Sequence, residues 1–434
     1  MRNKGLAIWL VVMSGVLVCP LARFASAQTK PRKVELTATD WPWWRGASHD
    51  GIAVSNPSPP LHWDDTTNLI WKTPLVGRGH GSAIVVGEQV LLAVADVEHE
   101  RLSLLCLDRA TGKTNWNAPI HSGKIDTKGN EKSSMASVTP ACDGERVFIN
   151  FLFGGAVHTS AVDRQGKLLW QTRICDFVVH QGFASSPAIV GPLVLVSADN
   201  KGGGLLAGLD RESGEIVWSR TRPKLPNYTS PIPLSIAGRS QLLLAGCDLV
   251  TSLDPLSGQV LWETAGATTE CVTSVVTDGK LVFTSGGYPK NHIAAIRADG
   301  SGELVWENSN RVYVPSMLVK DGYLYAVMDA GVAICLECAT GKEVWKGRLG
   351  GTFSSSPVLV GDVIHVTNEA GRTFIFKATP AAFHLVGENV LGSECFATPT
   401  ICGGRIYTRV AYHEPAEGES GKRREYLICI GERR

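Results

Sequence analysis

The sequence lacks most motifs that mark catalytic or metal-binding chemistry. Its 434 residues contain no P-loop, no dinucleotide-binding glycine pattern and no Gly-x-Ser-x-Gly nucleophile motif. The eleven histidines are scattered, without a His-x-His pair or a His-Glu-x-x-His motif, so no metal site is expected. The 42 basic and 41 acidic residues form no basic patch, and nucleic acid is therefore not an expected partner.

Long apolar runs are missing after the N-terminus, so no transmembrane segment is expected in the mature chain. The first residues are basic, followed by an apolar stretch from Leu6 to Val18 and by Ala25-Ser26-Ala27. This pattern predicts a secretory signal peptide over residues 1–27, with a retained membrane anchor as the alternative. We therefore expect an exported protein, either periplasmic or secreted.

The sequence does contain a repeat built on tryptophan. Six times a glycine is followed four residues later by a tryptophan, and Trp71 lies one period upstream without its glycine. Successive tryptophans from Trp71 to Trp345 are 45, 54, 48, 44, 44 and 39 residues apart. A period of about forty residues indicates a repeat architecture. The pairs are Gly112/Trp116, Gly166/Trp170, Gly214/Trp218, Gly258/Trp262, Gly302/Trp306 and Gly341/Trp345.

Each repeat predicts four short strands. It opens with a small residue and proline, continues through two apolar runs joined by a turn such as Asp143-Gly144, and reaches a third strand ending in an acidic residue such as Asp108. A Thr/Ser-Gly-Lys/Glu turn then leads to the tryptophan strand. The runs are nearly apolar throughout, which indicates sheets buried on both faces. Radially arranged four-stranded sheets of this kind form a β-propeller.

The number of repeats predicts eight blades. Six are complete, a seventh has Phe383–Val386 in place of the Gly-x-x-x-Trp end, and the last, Phe396–Ile430, has only three strands. The N-terminal segment Asn68–Thr73 can supply the missing strand. We therefore predict an all-β, eight-bladed propeller of four-stranded antiparallel blades over residues 69–434, closed by an N-terminal strand in the last blade. Residues 28–68 are expected to form an extension that packs on the propeller.

The repeated tryptophans are predicted to dock neighbouring blades. Burial of an aromatic side chain removes about 150–250 Å² from water, which stabilises a fold by up to roughly 4–6 kcal/mol. Their identical register on successive blades favours packing over ligand stacking. These residues are Trp71, Trp116, Trp170, Trp218, Trp262, Trp306 and Trp345.

A second group of tryptophans, Trp41, Trp43 and Trp44, precedes the propeller. Three indole side chains within four positions are not expected to remain exposed to solvent. We predict that they pack against an end or the outer face of the ring, with Arg45 nearby. Ligand binding by residues 40–53 is the alternative.

One rim of the central channel is the candidate binding site. The loops from each tryptophan strand to the next innermost strand open there, and their polar side chains would converge around the channel. An ordinary solvated rim is the alternative. The loops carry Arg78, His80, His180, Gln181, Asn227, Tyr228, Glu270, Arg311, Tyr313 and Glu394.

The repeat pattern Ala/Cys-x-Asp-x-x-Thr/Ser-Gly-Lys/Glu-x-x-Trp resembles the pyrroloquinoline quinone (PQQ)-like propeller repeat, over about residues 69–430. The opening Trp41-Pro42-Trp43-Trp44-Arg45-Gly46 is similar to the start of exported BamB-like propellers. That branch is non-catalytic and displays loops to envelope partners. The quinoprotein alcohol dehydrogenases of the same fold bind PQQ between a tryptophan and a disulfide of adjacent cysteines, beside Ca²⁺ and an aspartate base.

This chain departs from the dehydrogenase pattern because no two of its cysteines are adjacent and its blades lack long insertions. We therefore expect a monomeric, non-enzymatic scaffold, without cofactor or metal, that binds envelope proteins or a small ligand at the channel rim. The alternative is a PQQ-dependent dehydrogenase of alcohols or sugars that uses PQQ and calcium.

Overall fold

All regular structure in the computed structural model is β. It describes Met1, Val34–Thr127, Gly129–Ala416 and Glu419–Glu432, so the predicted signal peptide lies outside the described residues. The described residues after Met1 belong to a single compact unit. No helix in these ranges is long and apolar enough to cross a membrane.

Eight sheets, numbered as blades 1–8 in chain order, form the unit and confirm the predicted eight-bladed propeller. Each blade holds four antiparallel strands, of which the first lies at the channel and the fourth outside. Two strands precede blade 1, namely β1 (Ile52–Ala53) and β2 (Leu69–Leu75). Blades 1 and 2 contain β3 (Ile84–Val86), β4 (Gln89–Asp96), β5 (Arg101–Asp108), β6 (Thr114–Ser122), β7 (Ala141–Cys142), β8 (Arg146–Phe153), β9 (Ala156–Asp163) and β10 (Leu168–Asp176).

The next three blades repeat this order. Blades 3 to 5 contain β11 (Ala188–Val190), β12 (Leu193–Ser197), β13 (Leu205–Asp210), β14 (Ile216–Thr221), β15 (Ile232–Ile236), β16 (Arg239–Gly246), β17 (Leu249–Leu253), β18 (Val260–Ala265), β19 (Val276–Thr277), β20 (Leu281–Gly286), β21 (His292–Arg297) and β22 (Leu304–Asn308).

The last three blades complete the ring. Blades 6 to 8 contain β23 (Leu318–Lys320), β24 (Tyr323–Val327), β25 (Val332–Glu337), β26 (Glu343–Arg348), β27 (Val358–Val360), β28 (Val363–Thr367), β29 (Arg372–Lys377), β30 (Leu385–Val390), β31 (Thr400–Cys402), β32 (Arg405–Ala416) and β33 (Glu419–Ile430). Innermost strands of neighbouring blades contact each other, and β3 contacts both β7 and β31.

The N-terminal strand β2 closes the ring as the fourth strand of blade 8. It is antiparallel to β33, with Trp71 opposite Cys429 and Lys72 opposite Ile428. This is the predicted closure. One strand was not expected: β1 adds to the inner edge of blade 7, parallel to β27.

The glycine and tryptophan of the repeat meet between blades rather than within one. Five of the six repeat glycines lie tightly against the tryptophan of the preceding blade, so a Cβ on Gly112 would lie 2.5 Å from the Trp71 ring and one on Gly258 2.5 Å from Trp218. At Gly302 a Cβ would be 3.4 Å from Trp262. Gly112 also has a φ of 70°, which other residues rarely adopt. The Trp71 Nε1–H donates to the backbone oxygen of Arg109 in the next blade, at 3.1 Å.

Most of the other repeat tryptophans make the same bond to the following blade. Trp262 differs, because its Nε1–H donates to Gln241 Oε1 in its own blade, at 2.8 Å. In five further tryptophans the Nε1–H donates to a backbone oxygen of the following blade. The pairs are Trp116 with Arg164, Trp170 with Arg211, Trp218 with Pro255, Trp306 with Cys338, and Trp345 with Thr379.

Residues 41–53, which we call the plug, cross the channel at the end where the innermost strands finish. Trp41 pairs with Val85 in blade 1. The buried Arg45 guanidinium donates to the backbone oxygens of Met317 (2.7 Å) and Pro357 (2.9 Å), in blades 6 and 7. These contacts with blades 1, 6 and 7 place the plug across this end of the channel.

Candidate functional site

A ring of hydroxyl groups surrounds the channel at equivalent positions of the eight blades. In six places the backbone N–H of one ring residue donates to the hydroxyl of the next blade, at 2.8 to 3.1 Å. Ser82 Oγ donates to the Thr398 oxygen at 2.8 Å and joins the last blade to the first. The hydroxyl ring consists of Ser82, Thr139, Ser186, Ser230, Ser274, Ser316, Ser356 and Thr398.

A second ring lies two residues earlier in each blade, nearer the open end. All eight of its members line a cavity of about 360 Å³, together with five members of the hydroxyl ring. Residues two apart in an extended chain point to the same side, which places both rings on the channel wall. The second ring consists of His80, Ser137, Ala184, Tyr228, Val272, Val314, Ser354 and Phe396.

The plug forms the floor of this cavity. Trp44 lines the cavity, and its Nε1–H donates to Ser274 Oγ at 2.7 Å. The cavity is therefore a blind pocket inside the channel.

A segment of the loop between blades 1 and 2, residues 129–133, runs over the open end; we call it the strap, and the open end the mouth. Asn130 binds Gln181 of blade 3 through backbone and side chain, at 2.9 and 3.0 Å. Lys132 Nζ donates to Glu369 Oε2 of blade 7 at 2.8 Å. Blades 3 and 7 face each other across the ring, so the strap spans the mouth.

Four of the predicted rim residues form a polar cluster on one side of the mouth. His180 Nδ1 lies 3.1 Å from the Tyr228 hydroxyl and 3.4 Å from Glu270 Oε1. The Tyr313 hydroxyl donates to Glu270 Oε2 at 3.2 Å. Burial, assisted by the Glu270 charge, raises the pKa of Tyr228 and Tyr313. Both phenols therefore remain protonated hydrogen-bond donors at neutral pH.

His80 occupies the opposite wall. Its ring stacks on Phe396 with centroids 4.5 Å apart, and its Nε2 is buried without a partner among the described residues. Burial, and then the positive charges of Arg78, Arg409 and Arg423, hold the pKa of His80 well below its usual value. His80 is therefore neutral at neutral pH, beside a group of fixed cations.

Blade 8 carries a buried charge network next to this wall. The carboxylate of Glu425 pairs with Arg409 and, at 2.9 Å, with Arg423, which also donates to Glu394 at 2.6 Å. The Glu425 carboxylate also accepts a hydrogen bond from the backbone N–H of Gly79, at 3.1 Å. The network ties the blade 8 strands to the first rim loop.

The structure separates the predicted rim residues into groups. His80, Gln181, Tyr228 and Tyr313 line the cavity, while His180 and Glu270 support it from behind. The other four do not line it: Arg78 binds the strap at Glu131, Arg311 binds the Gly287 oxygen, Glu394 joins the blade 8 charge network, and Asn227 is buried against Asp199.

Sequence reasoning missed Lys132 and Phe396 as cavity residues, and the hydroxyl ring as a whole. Trp44 was included only through the alternative of ligand binding by residues 40–53. The five hydroxyl residues that line the cavity each precede a proline, so the repeated Ser/Thr-Pro pair was a usable signal. No such signal marks Lys132, because its loop is absent from the other repeats.

The residues present do not fit the PQQ–calcium centre that the resemblance to dehydrogenases implies. Among the described residues no three His, Cys, Asp or Glu side chains are grouped to hold a metal ion. The ten cysteines in those ranges are free, and none is adjacent to another in sequence. Within the described ranges, the quinone-flanking disulfide and a carboxylate cluster for calcium therefore have no counterpart.

The fold and its repeat define a PQQ-like β-propeller. The profile of the family described as outer membrane protein assembly factor BamB matches residues 25–174, 100–309 and 289–379. The chain therefore belongs to this family.

Curated relatives include BamB of Yersinia pestis, 20% identical over 76% of this chain and 93% of its own length. The tetrathionate hydrolase of Acidithiobacillus ferrooxidans is 24% identical over 70% of this chain, which spans 65% of that enzyme's length.

Among solved structures, BamB of Moraxella catarrhalis superposes with a TM-score of 0.57 over 83% of this chain and 99% of its own, at 13% identity. The quinohemoprotein alcohol dehydrogenase of Comamonas testosteroni gives a TM-score of 0.65 over 91% of this chain and 81% of its own, also at 13% identity. At these identities the superpositions show the shared fold alone.

Proposed function

We propose that the chain is an exported, non-catalytic propeller of the cell envelope that binds polypeptide partners at the mouth of its channel. The observation that carries the proposal is the difference between the two ends of the ring. The plug closes one end, whereas the other presents polar side chains fixed by mutual hydrogen bonds. Preorganised groups bind a partner with little loss of side-chain entropy.

The strands of blade 8 add surface on the same side. β32 and β33 contain twelve residues each and stay paired as far as Ala416 and Glu419. The innermost strand of each antiparallel blade runs away from the mouth, and the second strand runs back towards it. The connection between the second and third strands therefore lies on the mouth side. The blade 8 hairpin therefore extends beside it and offers an edge to a partner.

The polar cluster supports binding rather than catalysis. Glu270 is occupied by His180 and Tyr313, and among the described residues no serine or cysteine hydrogen-bonds His180 as a nucleophile would. Membership of a family described as assembly factors and the N-terminal export pattern support a location in the periplasm. A protein in the periplasm would encounter polypeptides of the cell envelope, which are therefore the proposed partners.

The proposal can be tested with a photo-crosslinking amino acid at one site on each end of the ring. Tyr288, 55% exposed, lies between the second and third strands of blade 5 on the mouth side. Leu256, 52% exposed, lies in a turn at the closed end and is a matched control. In intact cells we expect discrete adducts with envelope polypeptides from Tyr288 and none from Leu256.

Fractionation of the same cells supplies the second measurement, with the protein expected in the periplasmic extract. Equal crosslinking from both ends, or retention of the protein in the cytoplasm, would contradict the proposed function.

A further inference from the structure

The hydroxyl ring supplies hydrogen-bond donors that the protein does not use. Five of its members line the cavity and each is at most 8% exposed: Thr139, Ser186, Ser230, Ser356 and Thr398. Each oxygen accepts a backbone N–H from the preceding blade, and none of the described residues accepts the hydroxyl proton. Five buried O–H groups, from blades 2, 3, 4, 7 and 8, thus remain available around the cavity.

Further donors lie above them. The buried His80 Nε2 has no partner among the described residues and is a donor in the tautomer that carries the proton there. Gln181, whose Oε1 accepts from Asn130, also lines the cavity. Lys132 reaches the cavity from the strap. Arg78, Arg409 and Arg423 all contribute to the low pKa of His80. Arg409 and Arg423 are neutralised by Glu425 and Glu394, so the excess positive charge on this wall comes from Arg78.

The nearby carboxylates do not compete for the cavity. Glu270 and Glu369 are not part of its lining. The oxygens of Glu270 face His180 and Tyr313, and those of Glu369 accept from Lys132 and, at 2.6 Å, from Ser354 Oγ. Ala184, Val272 and Val314 supply apolar surface to the rest of the wall. The cavity therefore offers hydroxyl and cationic donors, and no carboxylate side chain lines it.

We propose that this cavity binds a small anionic ligand whose oxygens, from a carboxylate or an inorganic oxyanion, accept hydrogen bonds from the hydroxyl ring. A volume of about 360 Å³ suits a small molecule. Trp44 below and the strap above enclose the space, which favours a free metabolite or ion over an inserted polypeptide loop. This site lies beneath the mouth and does not depend on the polypeptide partner proposed above.

The test is calorimetric titration of the purified protein with sulfate and with succinate at constant ionic strength in chloride. Succinamide, the neutral diamide of succinate, serves as the uncharged probe. We expect one site for at least one anion, with succinamide at least tenfold weaker. Binding of sulfate alone identifies an inorganic oxyanion, and binding of succinate identifies a carboxylate. Failure of both anions to bind in chloride would overturn the proposal.

Three variants locate the site. The Ser230→Ala/Ser356→Ala protein loses two donors to the ligand, and we expect at least a tenfold loss of affinity. Ser316→Ala is the matched control, because Ser316 accepts the same type of interblade N–H bond, at 3.0 Å, but does not line the cavity. Its affinity should be unchanged; an equal loss in Ser316→Ala would refute the assignment.

Because the Lys132 side chain is exposed, its substitution is expected to leave the folded protein stable. Lys132→Met removes a cation and leaves the Glu369 charge without its ion pair at the mouth, so anion affinity should fall several-fold. Unchanged affinity in both Lys132→Met and the double serine variant would place the anion elsewhere.

Discussion

At the scale of single residues, the repeat glycines and tryptophans serve the contact between blades. All six repeat glycines have a positive φ, and five of them also leave no room for a Cβ beside an indole of the preceding blade. Two separate requirements therefore exclude a side chain at the same position. The contributions of backbone strain and of the indole contact can be measured separately, because Gly238, in a turn outside the repeat motif, has a positive φ but no indole beside it.

We predict that Gly258→Ala destabilises the protein by about 2–3 kcal/mol, since it adds a clash with Trp218 to the backbone strain of a φ of 69°. Gly238→Ala is the control: Gly238 has a φ of 75° with open space around it, so strain alone should cost about 1 kcal/mol. Urea unfolding measures both values. In a Trp218→Ala background the excess for Gly258 should disappear; if it persists, the indole contact is not its cause.

The sequence revealed this relationship only in part. The four-residue spacing from Gly112 to Trp116 identified the repeat, but it suggested one turn rather than a contact with Trp71 one blade away. The hydroxyl ring was visible as a Ser/Thr-Pro phrase at Thr139 and Ser186, yet its function as a set of donors depends on which backbone groups each oxygen meets. That information exists only in three dimensions.

At the scale of elements, the plug distinguishes this propeller from a simple ring of blades. It contributes a strand to blade 7, an indole to the cavity floor and the buried guanidinium of Arg45. Burial lowers the pKa of Arg45 to about 10, so the side chain keeps its charge at neutral pH. Backbone oxygens of two blades, together with that of Asp50, solvate this charge.

Arg45→Ala should therefore destabilise the protein by about 3–5 kcal/mol, because it leaves three carbonyl oxygens without their donor and opens a cavity. The matched control is Arg297→Ala, which breaks the exposed pair with Glu303 and should change stability by less than about 0.5 kcal/mol. Chemical unfolding compares the two. A loss below 1 kcal/mol for Arg45 would mean that the plug is not fixed to the ring.

Sequence patterns predicted the blades better than the elements between them. Alternating turns and apolar runs recur eight times, so errors in one repeat are corrected by the others. The strand Ile52–Ala53 is too short to show a pattern. The strap is held by contacts with distant residues, such as the ion pair between Lys132 and Glu369. Elements that occur once and are held by distant contacts leave no periodic signal.

At the scale of the whole molecule, ring closure and the plug give the propeller two unlike ends. One is sealed by backbone pairing and a buried cation; the other combines a blind cavity, a polar cluster and a long hairpin. The two proposals, a polypeptide on the rim and a small anion below it, both rest on this asymmetry.

The most direct test is hydroxyl-radical footprinting of the protein in intact cell envelopes, compared with the purified protein. We predict protection of the mouth loops, residues 177–183, 287–291 and 309–315, and of the blade 8 hairpin. The closed-end turns at residues 109–113 and 254–258 should react equally in both samples. Protection of the closed-end turns, or none at the mouth, would contradict the account.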